Sequence, residues 1–128
     1  MGDCLYAVGG EGKHPKATSM CFLSDMEVLS LKDNPKVWMT SKVTLPEPRV
    51  AMGCASEGRC LYLFGGFDGE HYLSSCLVCD PQALSGDNVF KTLPPLSAPR
   101  AHPATLVSYP DSHLLWFVRA AAQQYCTQ

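Results

Sequence analysis

The stretch LYLFGGFDGEHYLSSCLVCDP, residues 61–81, decides the fold of this chain. It begins as an apolar run, reaches the glycine pair Gly65–Gly66, and continues through an acidic turn into a second apolar run. The segment LYAVGG at residues 5–10 has nearly the same start, 56 positions earlier. Self-similarity at a fixed spacing is typical of repeat architectures, so these two segments predict an internal repeat.

Three further features recur in the same order, at spacings of 50 to 52 residues. They are FLSDMEVLSL (22–31) with YLSSCLVCDP (72–81), Trp38 in KVWMT with Phe90 in NVFKT, and LPEPR (45–49) with LSAPR (96–100). A third copy starts with PRAHPATLV (99–107), but LWFVRA (115–120) has Arg119 and Ala120 where the glycine pair should recur. The sequence therefore predicts a partial repeat at 1–46, a complete repeat at 47–97, the start of a third repeat at 98–118, and a divergent tail at 119–128.

Short runs of β-branched, aromatic and aliphatic residues lie between frequent glycines and prolines, and no 3.6-residue period is sustained. This pattern predicts an all-β fold. In the complete repeat we place four strands near 50–56, 60–64, 73–79 and 88–92. The first repeat lacks the opening strand.

The apolar strand that ends in Gly-Gly, the tyrosine that follows it and the later aromatic residue resemble the Kelch repeat, a blade of four antiparallel strands in a β-propeller. The resemblance covers about residues 3–108. It implies an all-β fold of Kelch-type β-propeller blades, incomplete at about two and a half blades. Since propellers close with about four to eight blades, the chain is interpreted as a fragment of a larger propeller, and the alternative is self-association through its open blade edges.

The repeated positions are expected to be structural. Glycine adopts positive φ at low cost and lets backbone approach backbone. Aromatic residues at equivalent places would pack between blades, and Arg49 and Arg100 could each be buried and hydrogen-bonded or bind a ligand. The predicted structural residues are Gly9, Gly10, Trp38, Gly65, Gly66, Tyr72 and Phe90.

Composition excludes several functional classes. The formal net charge is −2, which argues against a broad binding surface for nucleic acid or for acidic membrane. No apolar run approaches the ~18 residues of a membrane span. Seven cysteines without framework spacing indicate reduced thiols and a cytoplasmic protein.

No motif for catalysis, a cofactor or a metal is present. Cys76 and Cys79 form a CxxC without a second ligand pair, so we interpret them as structural. The histidines have no metal-ligand spacing, and no phosphate-binding loop occurs. We therefore expect no enzyme activity, no cofactor and no bound metal.

The loops remain as candidate functional sites. In Kelch propellers the segments after Gly-Gly and between blades share one face, which contacts a partner protein or peptide. The resemblance therefore implies a protein-binding module, expected to be a fragment of a substrate-recognition adaptor for a cullin-type ubiquitin ligase. The alternatives are an actin- or scaffold-binding Kelch protein and a piece of a Kelch-fold enzyme. The candidate partner-binding residues are Glu11, Lys13, His14, Lys16, Asp68, Glu70, His71, Arg100 and His102.

Overall fold

The described part of the chain is built of β-strands. The structure is a computed structural model, and it describes residues 3–13, 16, 18–83 and 89–102. None of these residues is helical, so the expected all-β class is confirmed. The strands are β1 (Cys4–Val8), β2 (Glu11–Gly12), β3 (Cys21–Phe22), β4 (Met26–Ser30), β5 (Trp38–Thr40), β6 (Gly53–Glu57), β7 (Cys60–Phe64), β8 (Cys76–Cys79) and β9 (Phe90–Leu93).

These strands form three antiparallel sheets. A three-stranded sheet has the order β1-β4-β5, and the connection from β1 to β4 contains the two-stranded ribbon β2-β3. A four-stranded sheet has the order β6-β7-β8-β9, so each of its strands pairs with the next strand in sequence. We call β1–β5 the first unit and β6–β9 the second unit.

The four strands expected in the second half of the chain are all present. Their bounds differ from the predicted ones by up to three residues, as in β6, which begins at Gly53 rather than at residue 50. The first unit has three strands in its main sheet, as expected from the missing opening strand. His14 and residues 103–128, which include the predicted start of a third repeat beyond residue 102 and the tail, lie outside the described residues.

The core lies between the two units. Strand β7 alternates, with Leu61 and Leu63 buried on one face, as expected where one face of a strand packs against a neighbour. These leucines cluster with Met26 of β4, and Tyr6 and Val8 of β1 pack against the cluster. Each fully buried aliphatic side chain stabilises the fold by roughly 1.5–3 kcal/mol. The other members of the cluster are Val43, Leu45, Leu77 and Cys79.

A backbone hydrogen bond at the first glycine of each pair recurs in both units. The amide of Gly9 donates to the carbonyl oxygen of Asp25 at 2.9 Å, and the amide of Gly65 donates to that of Ser75 at 3.1 Å. Both glycines have left-handed φ, +56° and +60°. The end of β1 and the end of β7 are therefore built in the same way.

The second glycine of each pair binds the segment that opens the following repeat. Gly10 donates to the carbonyl oxygen of Arg49 at 2.9 Å, and Gly66 donates to that of Arg100 at 2.8 Å. The first glycine of each pair also lies against this segment. A Cβ at Gly9 would lie 2.5 Å from the Arg49 oxygen, and a Cβ at Gly65 would collide with the Arg100 oxygen. Close backbone approach, together with positive φ, explains why these positions hold glycine.

Candidate functional site

Two loops follow the glycine pairs, and both turn back on themselves in the same way. In the first loop Glu11 of β2 pairs with Phe22 of β3. In the second loop Phe67 forms an isolated bridge with Tyr72, and the two positions are equivalent to Glu11 and Phe22 in the repeat. Phe67 also pairs with Val50, through hydrogen bonds of 2.9 Å in both directions.

The tip of the second loop is a turn held by one carboxylate. Oδ1 of Asp68 accepts hydrogen bonds from the amides of Glu70 at 2.8 Å and His71 at 2.7 Å. These backbone hydrogen bonds lower the pKa of the Asp68 carboxyl below its ordinary value, because they favour the charged form. The imidazole Nδ1 of His71 lies 3.8 Å from Oδ2 of the same carboxylate. The side chains of Glu70 and His71 project into solvent.

Aromatic side chains connect the two loops. The ring of Phe22 meets the ring of Phe67 edge-on, with centroids 5.9 Å apart at 88°. Phe67 contacts Tyr72 in turn, with centroids 5.1 Å apart at 44°. We call these three residues the aromatic cluster. Gly69 lies against it, since a Cβ there would be 2.8 Å from the Phe22 ring.

The aromatic cluster is open to solvent on one side. Tyr72 is 58% exposed and Phe22 is 36% exposed, and Met20, two residues before Phe22, is 59% exposed. Exposed aromatic side chains with a polar rim are typical of protein-binding surfaces. The polar rim here consists of the Asp68–His71 turn and of Glu11, which pairs with Phe22; Lys13 follows two residues later in the first loop.

Two further predicted partner-binding residues, Arg100 and His102, lie next to the second loop. The amide of His102 donates to the carbonyl oxygen of Ala51 at 2.6 Å, and the neighbouring Val50 pairs with Phe67. Ala51 and His102 both have left-handed φ, +52° and +54°, at equivalent positions 51 residues apart. The side chains of Arg100 and His102 are exposed.

The structure thus places eight of the nine predicted partner-binding residues, and His14 is not among the described residues. Lys16 is exposed in the first loop. Phe22 and Phe67 were not predicted as site residues, although Phe67 directly follows the glycine pair. For Phe67 a sequence signal existed, because a large apolar side chain follows the end of the apolar strand and stands before the polar turn DGEH.

Arg49 has a structural role. It is completely buried, and Nη1 donates to the carbonyl oxygens of Gly65 at 2.9 Å and Ser75 at 3.0 Å. Nη2 donates to Oγ of Ser75 at 2.7 Å and pairs with Glu47. Of the two roles open for this residue, the buried, hydrogen-bonded one is the one observed.

The aromatic residues expected to pack between blades differ in their surroundings. Phe90 of β9 is half-buried and packs against the core. Trp38 is 45% exposed, because β5 is the edge strand of its sheet and no described residue covers that face. The packing role expected for Trp38 is therefore not observed within the described residues. Tyr72 contacts Phe67 but stays exposed, as part of the aromatic cluster.

A cleft at the opposite end of the sheets offers less for a ligand. It measures about 330 Å³, and its lining includes Asp3, Lys32 and Arg59. Lys32 pairs with Asp3 at 2.5 Å, and Arg59 pairs with Asp80 at 3.1 Å. Both cations are therefore already neutralised by neighbouring carboxylates.

The cysteine motif is buried. Cys76 and Cys79 are each 3% exposed, and both are free thiols. Burial raises the pKa of the Cys79 thiol to about 11, with smaller contributions from Asp80 and Cys60. Among the described residues no group of three or more His, Cys, Asp or Glu side chains could hold a metal ion.

Comparison with the models of known protein families gives no match, and comparison with curated proteins gives no significant match. In the part of the chain that the structure describes, no helix is long and apolar enough to cross a membrane.

Proposed function

We propose that this chain is a non-catalytic protein-binding module of the Kelch type, which binds a peptide segment of a partner protein at the aromatic cluster. The aromatic cluster carries the proposal. It joins two loops from different units and exposes more than half of the Tyr72 side chain. Tyrosine is enriched among the residues that dominate protein–protein binding energy.

The Kelch-type architecture is supported by features that occur in both units. The hydrogen bonds at Gly9 and Gly65 are equivalent, and so are those at Gly10 and Gly66. The second unit is a sheet of four consecutive antiparallel strands, which is the arrangement of one propeller blade. In this proposal the first unit is a blade without its opening strand.

The partner segment is expected to carry an apolar side chain between polar ones. The apolar side chain would lie on Tyr72 and Phe22. The polar side chains would meet Asp68, Glu70 and His71 on one side and Lys13 on the other. Because the surrounding charges are of both signs, they favour a defined orientation of the partner more than a strong overall attraction.

The cellular role that we propose for the protein is supported by the sequence resemblance. We propose a cytoplasmic substrate-recognition adaptor of a cullin-type ubiquitin ligase. In that setting the aromatic cluster would bind the substrate.

A capture experiment with the full chain tests the proposal. Tagged wild-type chain, Tyr72→Ser and Leu31→Ser are used to capture proteins from a cytosolic lysate, followed by chemical cross-linking and mass spectrometry. Leu31 is the matched control, because it is an apolar residue, 41% exposed, at the other end of the sheets.

The expected result is a partner that is lost with Tyr72→Ser, kept with Leu31→Ser and cross-linked near residues 67–72. Retention of every partner by Tyr72→Ser contradicts the proposed site. Partners that are also found in cullin complexes support the adaptor role, whereas actin alone supports the scaffold alternative.

A further inference from the structure

The contact between the two units has a donor side and an acceptor side. Arg49, in the segment between the two units, is the donor side chain. The acceptor side is a socket formed by the carbonyl oxygens of Gly65 and Ser75 and by Oγ of Ser75, at 2.9, 3.0 and 2.7 Å from the guanidinium. Occupied by Arg49, this socket is closed, and Gly65 is buried.

The second unit carries a second donor. Arg100 is equivalent to Arg49, since both follow proline and both accept a hydrogen bond from the second glycine of a pair. The backbone of Arg100 is fixed by Leu73, whose carbonyl oxygen accepts its amide at 3.0 Å, just as Leu23 accepts the amide of Arg49 at 3.2 Å. The Arg100 side chain, however, is exposed and has no hydrogen bond or ion pair to any described residue.

The first unit carries a second, open socket. Its backbone part is the same, because Gly9 and Asp25 are joined by the hydrogen bond that joins Gly65 and Ser75. Gly9 is only half-buried, and Asp25 is exposed. Where the closed socket has the hydroxyl of Ser75, the open one has the carboxylate of Asp25, which no described side chain pairs with. A carboxylate is the stronger partner for a guanidinium.

Apolar faces of β1 and β7 also meet at the contact between the two units. Within the chain, Tyr6 and Val8 of β1 pack against the cluster that contains Leu61 and Leu63 of β7. The equivalents of Tyr6 and Val8 are Tyr62 and Phe64, on the face of β7 that turns away from this cluster.

On β1 the equivalents of Leu61 and Leu63 are exposed. Leu5 is 49% exposed, whereas Leu61 at the equivalent position is 6% exposed. Ala7, equivalent to Leu63, is exposed as well. On one surface Arg100, which no described residue pairs with, lies at the Gly65 end of the face that carries Tyr62 and Phe64. On another surface Asp25, which no described side chain pairs with, lies at the Gly9 end of the strand that carries Leu5 and Ala7.

We propose that two copies of this chain associate head to tail, with Arg100 of one copy inserted into the Gly9–Asp25 socket of the next. Tyr62 and Phe64 of the first copy then pack against Leu5 and Ala7 of the second. The contact is heterologous, because the two surfaces that meet are different. It repeats the geometry by which Arg49 joins the two units within one chain.

The competing occupant of the Arg100 surface is the chain's own continuation, which was expected to start a third repeat. In that segment Arg119 stands at the position of Gly65 in the sequence. The continuation thus lacks the glycine of the socket in its sequence, whereas the second copy supplies both Gly9 and the carboxylate of Asp25. Charge complementarity therefore favours the second copy.

The test is a charge exchange in the full chain. Wild type, Arg100→Asp, Asp25→Arg and an equimolar mixture of the two variants are compared by size-exclusion chromatography with light scattering over a range of concentrations. Each variant alone has like charges at the contact, because one has aspartate at both positions and the other has arginine at both. In the mixture an acidic copy can meet a basic copy, so both contacts regain opposite charges. Lys36→Asp and Asp33→Arg change the charge equally at exposed sites in the turn between β4 and β5.

We expect the wild type to associate and the equimolar mixture to regain wild-type association. Each variant alone should associate at least about tenfold more weakly than the wild type. The two control variants should associate as the wild type does, and circular dichroism should show folded protein throughout. A monomeric wild type overturns the proposal. Unchanged association in Asp25→Arg also overturns it, because the copies then meet at another surface. So does a mixture of folded variants that stays dissociated.

Discussion

Nη1 of Arg49 donates to the carbonyl oxygen of Gly65 at 2.9 Å, although Arg49 lies in the segment between the two units and Gly65 follows β7. The arginine is completely buried, and its second nitrogen pairs with the carboxylate of Glu47. A buried guanidinium in this position satisfies carbonyl groups that would otherwise lose their contact with water. It therefore holds the turn after β7 against the segment that precedes β6.

Replacing Arg49 should strongly destabilise the protein. We expect Arg49→Ala to lower the free energy of unfolding by about 3–5 kcal/mol, because it removes the cation that pairs with Glu47 and the donor to the Gly65 and Ser75 carbonyl groups, of which Ser75 keeps only the bond from the Gly65 amide. Arg100→Ala is the matched control, since that side chain is exposed, and it should change the free energy of unfolding by less than about 0.5 kcal/mol. Urea denaturation at low protein concentration measures both, and equal effects of the two substitutions would contradict the role of Arg49.

Two substitutions can separate the energetic cost of positive φ at Gly65 from the cost of its close backbone approach. Gly58, in the turn between β6 and β7, has φ +57° with open space around it, whereas Gly65 has φ +60° and faces the carbonyl oxygen of Arg100. Gly58→Ala should lower the free energy of unfolding by about 1–2 kcal/mol, the ordinary cost of a left-handed alanine. Gly65→Ala should lower it clearly more, because the backbone of residue 100 must move. Equal denaturation midpoints for the two variants would show that the contact is not tight.

Equivalent leucines on β7 and β1 should respond differently to truncation. Leu61 is 6% exposed and Leu5 is 49% exposed. We expect Leu61→Ala to lower the free energy of unfolding by about 2–5 kcal/mol, since it leaves a cavity in the core. Leu5→Ala should have little effect on the stability of the monomer but should weaken self-association, as measured by light scattering. A larger stability loss for Leu5→Ala than for Leu61→Ala would contradict the position of the core.

The Asp68 carboxylate should control the order of the second loop. Asp68→Ala removes the acceptor for the amides of Glu70 and His71, so these amides should exchange their hydrogens faster with solvent. Asp33→Ala, in the exposed turn between β4 and β5, is the control. Hydrogen exchange of the peptide that covers residues 67–72 measures the difference. Unchanged exchange in Asp68→Ala would mean that the aromatic cluster and the backbone hydrogen bonds hold this loop without the carboxylate.

The stability of the protein should fall as the pH rises from about 9 toward 11. Burial raises the pKa of the Cys79 thiol from 9.0 to about 11. In this range the unfolded chain has lost the thiol proton while the folded protein keeps it, so the free energy of unfolding decreases with pH. The decrease between about pH 8 and about pH 10 should be smaller in Cys79→Ala than in the wild type. Urea midpoints measure it, with Cys21→Ala as the control; an equal decrease in both variants would contradict a buried, protonated Cys79.

Much of the fold could be predicted from the sequence, because its signals are local. The glycine pairs mark the ends of two strands, and the alternation of Leu61 and Leu63 with Tyr62 marks the buried face of β7. The positive φ of Gly65 and Gly66 was expected from the turn that the sequence requires there, and it is observed. The Kelch-type arrangement of the units stays a proposal.

The aromatic cluster and the role of Arg49 could not be predicted in this way. Phe22 and Phe67 are 45 residues apart in sequence, and their contact depends on how the two units pack. The sequence left both a buried and an exposed position open for Arg49 and Arg100. The difference between them arises from neighbours, since Arg49 has the second unit beside it and no described residue pairs with Arg100.

The backbone segment from Arg49 to Ala51 contributes to the stability of both units. Its backbone is bonded to Gly10 and Leu23 on one side and to Phe67 and His102 on the other. In a chain of repeats the stability of the whole is set by the coupling between nearest neighbours as well as by each repeat alone. Here this segment couples the two units together with the core that lies between them, so we expect the two units to unfold in one cooperative transition.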